Sequence, residues 1–140
     1  VLVLGTCGVP DVLEGFPGAG WTASSTSSGA TMSWGSATVT APGGEYRLCW
    51  CASMAPLNDG NATGMTGSAA HNTTFAACGL PRGHQVDMGK LSIIGASPLS
   101  QHRTCVSGQA CLIDGIAGHR LSSSDRFLVL DTCGDEGAIP

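Results

Sequence analysis

Charge is scarce in this chain, and so are aromatic rings. Charged residues make up 11% of its 140 positions and aromatic residues 5%. A single Lys and five Arg cannot build the basic stripe that tracks a phosphate backbone, which excludes nucleic acid as a partner. Glu and Lys, which fill the exposed faces of ordinary helices, are nearly missing, so a helical domain is not expected. No apolar run approaches the ~20 residues that a membrane helix needs, so this segment is not expected to insert into a bilayer. The chain opens without Met and without the charged start of a signal peptide, as expected of a mature or internal segment of something longer.

What is abundant is turn chemistry and cysteine. Gly accounts for 21 residues and the net charge is −4, while 42% apolar residues are enough for one modest core. Seven cysteines in a chain of this size point to an oxidising compartment, where disulfides staple small domains. Two sequons, Asn61-Ala62-Thr63 and Asn72-Thr73-Thr74, point the same way. Together they predict an extracellular or cell-surface glycoprotein, with covalent glycans on Asn61 and Asn72 and no other cofactor.

The two ends of the chain match. Residues 1–8 read Val-Leu-Val-Leu-Gly-Thr-Cys-Gly and residues 127–134 read Phe-Leu-Val-Leu-Asp-Thr-Cys-Gly, identical at six of eight positions. Chance resemblance between two strands of similar composition is one explanation. Tandem repetition is the other, and it also resolves the odd cysteine count: if Cys7 and Cys133 are one position in successive repeats, a period holds six cysteines.

Short extended runs separated by turns predict an all-β chain, with no sustained helical period. Expected strands cover residues 1–6, one or two pieces around Met32, Trp34 and Thr38–Thr40, the clear run Glu45–Ala52, the run Gln85–Ile94 with a bulge at Gly89, and residues 109–114 and 126–132. Residues 53–83 read as a long surface loop. Alternation along Tyr46–Cys51 places Tyr46, Leu48 and Trp50 on the core face, and Arg47, Cys49 and Cys51 on the outer one.

Pro42-Gly43-Gly44-Glu45-Tyr46-Arg47-Leu48 resembles the turn and penultimate strand of Ig-like repeats. Lys90-Leu91-Ser92-Ile93-Ile94-Gly95 before Pro98 resembles a closing strand. Cys105-Val106-Ser107-Gly108-Gln109-Ala110-Cys111, with Gly115, Gly118, Leu121 and Asp125, resembles the opening of the next repeat. The whole is similar to the tandem cysteine-rich Ig-like (IPT/TIG-like or PKD-like) repeats of large surface and fibre proteins of unicellular eukaryotes. That resemblance implies a disulfide-stapled Ig-like β-sandwich whose frame is split. Residues 1–95 would be the closing part of one sandwich, and residues 96–140 the opening strands of the next. In that frame Cys105 closes on Cys111 and Cys51 on Cys78. Cys7 then joins Cys49, and Cys133 awaits the next repeat's counterpart of Cys49. Six cysteines allow 15 pairings, among which spacing alone does not choose.

Other chemistry is weaker. Cys49, Cys51, His71, Cys78 and His84 could be drawn as a zinc site, but Cys-x-Cys on a strand holds its thiols about 7 Å apart and lacks the usual metal spacing. Asp114, Asp125, Asp131 and Asp135 read as turn caps rather than a calcium loop. The Gly-rich run 15–20 lacks the Lys and the strand–loop–helix setting of a phosphate loop. No cluster of acid, base and nucleophile is visible, so no enzymatic activity is expected. The expected function is that of a structural subunit or repeat of an extracellular fibril or coat, joined to copies of itself or adjacent repeats in a linear polymer by β-strand completion. The alternative is an adhesin or receptor-type ectodomain that binds a ligand or carbohydrate through its loops.

Overall fold

A computed structural model describes residues 1–52 and 78–134. Seven strands lie within these residues: β1 (Leu2–Leu4), β2 (Ser24–Thr26), β3 (Thr31–Ser33), β4 (Gly44–Trp50), β5 (Val86–Ile93), β6 (Gly95–Ala96) and β7 (Gly118–His119). Short 3-10 turns at Pro17–Gly20, Ser27–Gly29 and Pro81–Gly83 punctuate them. The chain is all-β. Its strands form a three-stranded antiparallel sheet in the order β1-β4-β5 and two two-stranded antiparallel ribbons, β2-β3 and β6-β7.

β4 is the centre because its β-favouring run follows a Pro-Gly-Gly turn that is itself tied down. The Tyr46 hydroxyl donates to the carbonyl oxygen of Pro42 at 2.9 Å, locking the turn onto the strand it launches. Against β5, β4 runs in register from Gly44 opposite Ile93 to Arg47 opposite Lys90, then resumes with Cys49 opposite Asp87. Met88 and Gly89 therefore both face Leu48, a bulge that Gly89 permits with φ of +130°. Two ion pairs, Glu45–Lys90 and Arg47–Asp87, cross the β4–β5 seam on exposed surface.

β1 is short but closed in on both edges. Leu2, Val3 and Leu4 pair with Cys49, Leu48 and Arg47 of β4. The other edge is met by single bridges from Leu2 to Trp21 and from Leu4 to Val12. All three β1 residues are fully buried, and Leu2, Leu4 and Cys49 form the core cluster, flanked by Cys7 and Trp21. The loop crossing β1 comes so close that a Cβ on Gly20 would lie 2.5 Å from the Val3 carbonyl oxygen, which only Gly allows. Trp34 Nε1 donates to the Gly20 carbonyl at 2.7 Å and its ring meets Phe16 edge-on at 5.7 Å, so the β2-β3 ribbon is hung on the same loop.

Three sequence expectations change here. Cys49 faces inward and is fully buried, whereas Trp50 is 42% exposed. The expected faces of β4 are thus reversed at this end, because the sulfur bridge to Cys7 draws Cys49 to the side where Leu2 and Leu4 pack. Thr38–Thr40 is not a strand, and neither are residues 109–114 or 126–132. No residue of 97–134 is buried, and an extended run without a partner strand or a buried face has nothing to hold it as sheet. Conversely, β2 arises in the Ser- and Thr-rich residues 22–28, where Ser24, Ser25 and Thr26 pair with Ser33, Met32 and Thr31, and the two-residue β7 pairs with β6.

The β6-β7 ribbon attaches residues 97–134 to the sheet through backbone packed on backbone. The Gly43 amide donates to the Ala96 carbonyl at 2.9 Å. Side chains at Gly43 or Gly118 would both run into the Gly95 carbonyl, so the crossing is built from glycine. Beside it, Ser92 Oγ and His119 Nε2 are hydrogen-bonded at 2.9 Å.

Candidate assembly interface

Residues 97–134 keep their course by polar contacts. Gln101 reads the backbone of Ala117 from both sides, donating to its carbonyl and accepting from its amide, each at 2.8 Å. Arg103 donates to the Gly115 carbonyl at 3.0 Å. The Asp125 carboxylate accepts from the Ser122 amide at 2.8 Å, the turn-capping role expected of it. The Cys105–Cys111 bridge, with Cα atoms 5.5 Å apart, closes a small loop around Gly108. Many apolar side chains, by contrast, find no cover: Leu99, Val106, Leu112, Phe127, Leu128 and Val129 are all exposed.

The duplicated octapeptide therefore occupies two opposite environments. In the first copy Leu2, Val3 and Leu4 have no exposed surface, and Cys7 is bonded to Cys49 with Cα atoms 5.4 Å apart. In the second copy Phe127, Leu128 and Val129 are 70%, 73% and 71% exposed, and Cys133 is an exposed free thiol. The backbone that follows each apolar run bends and turns at the same positions. Residues 5–8 and 131–134 trace the same bend and turn, ending on Gly8 with φ of +81° and Gly134 with φ of +91°.

The third bridge joins Cys51 to Cys78, with Cα atoms 5.6 Å apart, across a sequence separation of 27. Asn61 and Asn72 lie between these cysteines and outside the described residues, as does His71. Cys49, Cys51 and Cys78 are thus all in disulfides, and no three His, Cys, Asp or Glu side chains converge on a metal-sized site among the described residues.

Electrostatics around the sheet are local. The hydrogen bond from Lys90 holds the Glu45 carboxyl below its ordinary range, and the Arg47 guanidinium does the same for Asp87, helped by the Gly89 amide. His84 is the buried polar side chain, set edge-on against Trp21 at 5.1 Å with Nδ1 at 3.3 Å from the Leu80 carbonyl. Burial lowers its pKa, an effect only partly offset by that carbonyl.

Nothing among known family models, curated proteins or solved structures matches the chain.

Proposed function

We propose that the chain is a structural unit of an extracellular, glycosylated fibril or surface coat, joined head to tail to copies of itself through β-strand completion. The observation that supports this is the uneven distribution of cover. Among the described residues every buried one lies before position 97, while residues 97–134 carry many apolar side chains in water. Apolar surface of that kind, on a segment held by side-chain-to-backbone hydrogen bonds, fits a surface made to be covered by a partner. In this reading residues 1–95 close one Ig-like sandwich and residues 96–140 open the next, so each unit is completed by its neighbour. A contact of that type does not close on itself and gives a linear polymer. Three bridges suit work outside the cell, in an oxidising compartment.

Raising the protein concentration in an oxidising buffer is the test, followed by light scattering and negative-stain electron microscopy. Linear particles of uniform width are expected. A monomer that persists at high concentration and instead binds a carbohydrate or protein ligand would replace this reading with that of an adhesin or receptor-type ectodomain.

A further inference from the structure

Resting on the head-to-tail reading, we infer that residues 127–133 take the β1 position in a second copy of this fold, with Cys133 bonded to Cys49 of that copy. The register follows from β1 itself: Leu128 would stand opposite Cys49, Val129 opposite Leu48, and Leu130 opposite Arg47.

The two octapeptides differ only where the β1 position tolerates difference. Val1 becomes Phe127 at a half-buried place whose backbone carbonyl, not its side chain, is held by the Thr22 hydroxyl at 3.0 Å. Gly5 becomes Asp131 at an exposed place where a Cβ meets nothing within 4 Å. Five of the six retained residues, all but the exposed Thr6, are under constraint. Leu2, Val3 and Leu4 are fully buried, Cys7 is bridged, and Gly8 holds a positive φ with its Cβ direction against Gln85. Residues 131–134 bend and turn at the same positions as residues 5–8, with the same left-handed glycine at the end, which favours the same presentation of the cysteine. Alternate apolar side chains fix the register, since a one-residue slip would turn Leu128 and Leu130 to the opposite face.

The chemistry balances without an outside oxidant. The Cys133 thiolate attacks the Cys49 sulfur of another copy, the Cys7–Cys49 bond breaks, and Cys7 leaves as a thiolate that takes a proton from water. One thiol and one disulfide stand on each side of the exchange.

The test is a fusion of the full chain to a second copy beginning at Gly15, which keeps the 126-residue interval between Cys7 and Cys133 and gives the second copy no β1 of its own. Refolding uses oxidised glutathione, which is reduced to two thiols as Cys133 and the second Cys49 join. Thiol titration is expected to find one free cysteine per fusion, the last Cys133, against three if the position stays empty. Tryptic mapping under non-reducing conditions should find the peptide that begins at Phe127 linked to the peptide that begins at Leu48. Leu128→Asp with Leu130→Asp should abolish that link while the first copy's melting is unchanged. Cys133 found free, bonded to another Cys133 or to Cys105, or bonded to Cys49 regardless of the Asp substitutions, overturns the inference. Filaments of the single chain with Cys133 free would sink this inference and leave the head-to-tail reading standing. The bond in the fusion without filaments of the single chain would do the reverse.

Discussion

Replacing Cys7 and Cys49 together by Ala should cost the sheet most of its stability. The bridge closes a span of 42 residues, which by chain entropy constrains the unfolded state by about 4 kcal/mol. Cys49 also belongs to the core with Leu2 and Leu4, and trimming its sulfur there adds on the order of 1 kcal/mol. Typical domains hold only about 5–15 kcal/mol in all, so the variant should melt on the order of 10–20 °C lower or not fold at all. The control is Cys105→Ala with Cys111→Ala. That bridge spans 6 residues, in a segment with no buried residue, and is worth about 2 kcal/mol of local constraint. Because it lies outside the sheet, its removal should leave the main transition in place. Trp21 packs on the core cluster, so tryptophan fluorescence through a urea titration reads the sheet directly. Equal shifts for the two double variants would refute the reasoning, since they would mean that residues 97–134 share one cooperative core with β1 and β4.

Three further outcomes are expected. Leu2→Ala removes a fully buried side chain and should destabilise by about 2–5 kcal/mol in urea, whereas Leu128→Ala, at the matching place in the exposed copy, should stay within about 0.5 kcal/mol. Because burial depresses the His84 pKa, the unfolded chain binds more protons, so stability should be at full value above the ordinary pKa of 6.5 and fall as pH drops from there towards the depressed folded value. His84→Gln should flatten that part of a melting profile, with the separate loss attached to Glu45 and Asp87 appearing only as pH falls below about 4.5. Peptide mapping of protein from its natural source should find Asn61 and Asn72 carrying glycans, each peptide heavier than its bare sequence.

The parts legible in the sequence were those written by alternation and by turn residues. Glu45–Ala52 and Gln85–Ile94 declare themselves because β-favouring side chains run between Gly and Pro boundaries, and Gly89 marks the bulge because no other residue adopts its backbone freely. The facing of β4 was not legible. Bulk favours Tyr46, Leu48 and Trp50 as the inner set, and only the long-range bond between Cys49 and Cys7 turns the cysteine inward. Residues 109–114 and 126–132 look like strands for a sound local reason, the density of Leu, Ile and Val. Whether such a run becomes sheet depends on a partner strand, which is not a property of the run itself. β2 fails in the opposite sense: Ser and Thr are poor signals, yet its pairing with β3 suffices to hold it extended. The octapeptide shows both lessons at once, since one sequence is core at one end of the chain and surface at the other.

The connectivity of the bridges also settles how the protein would answer to a pull along its length. Tension entering at β1 crosses to β4 through the Cys7–Cys49 bond and bypasses everything between those cysteines. An extended chain covers at most ~3.3–3.6 Å per residue, so this one bond withholds about 140 Å of slack, and the Cys51–Cys78 bond withholds about 90 Å more across its 27 residues. While oxidised, such a unit could lengthen only through the unbridged residues 79–104 and 112–133, and reduction would free the spans between Cys7 and Cys49 and between Cys51 and Cys78 as well. Its stiffness is set by which sulfurs are joined rather than by the small amount of surface it buries.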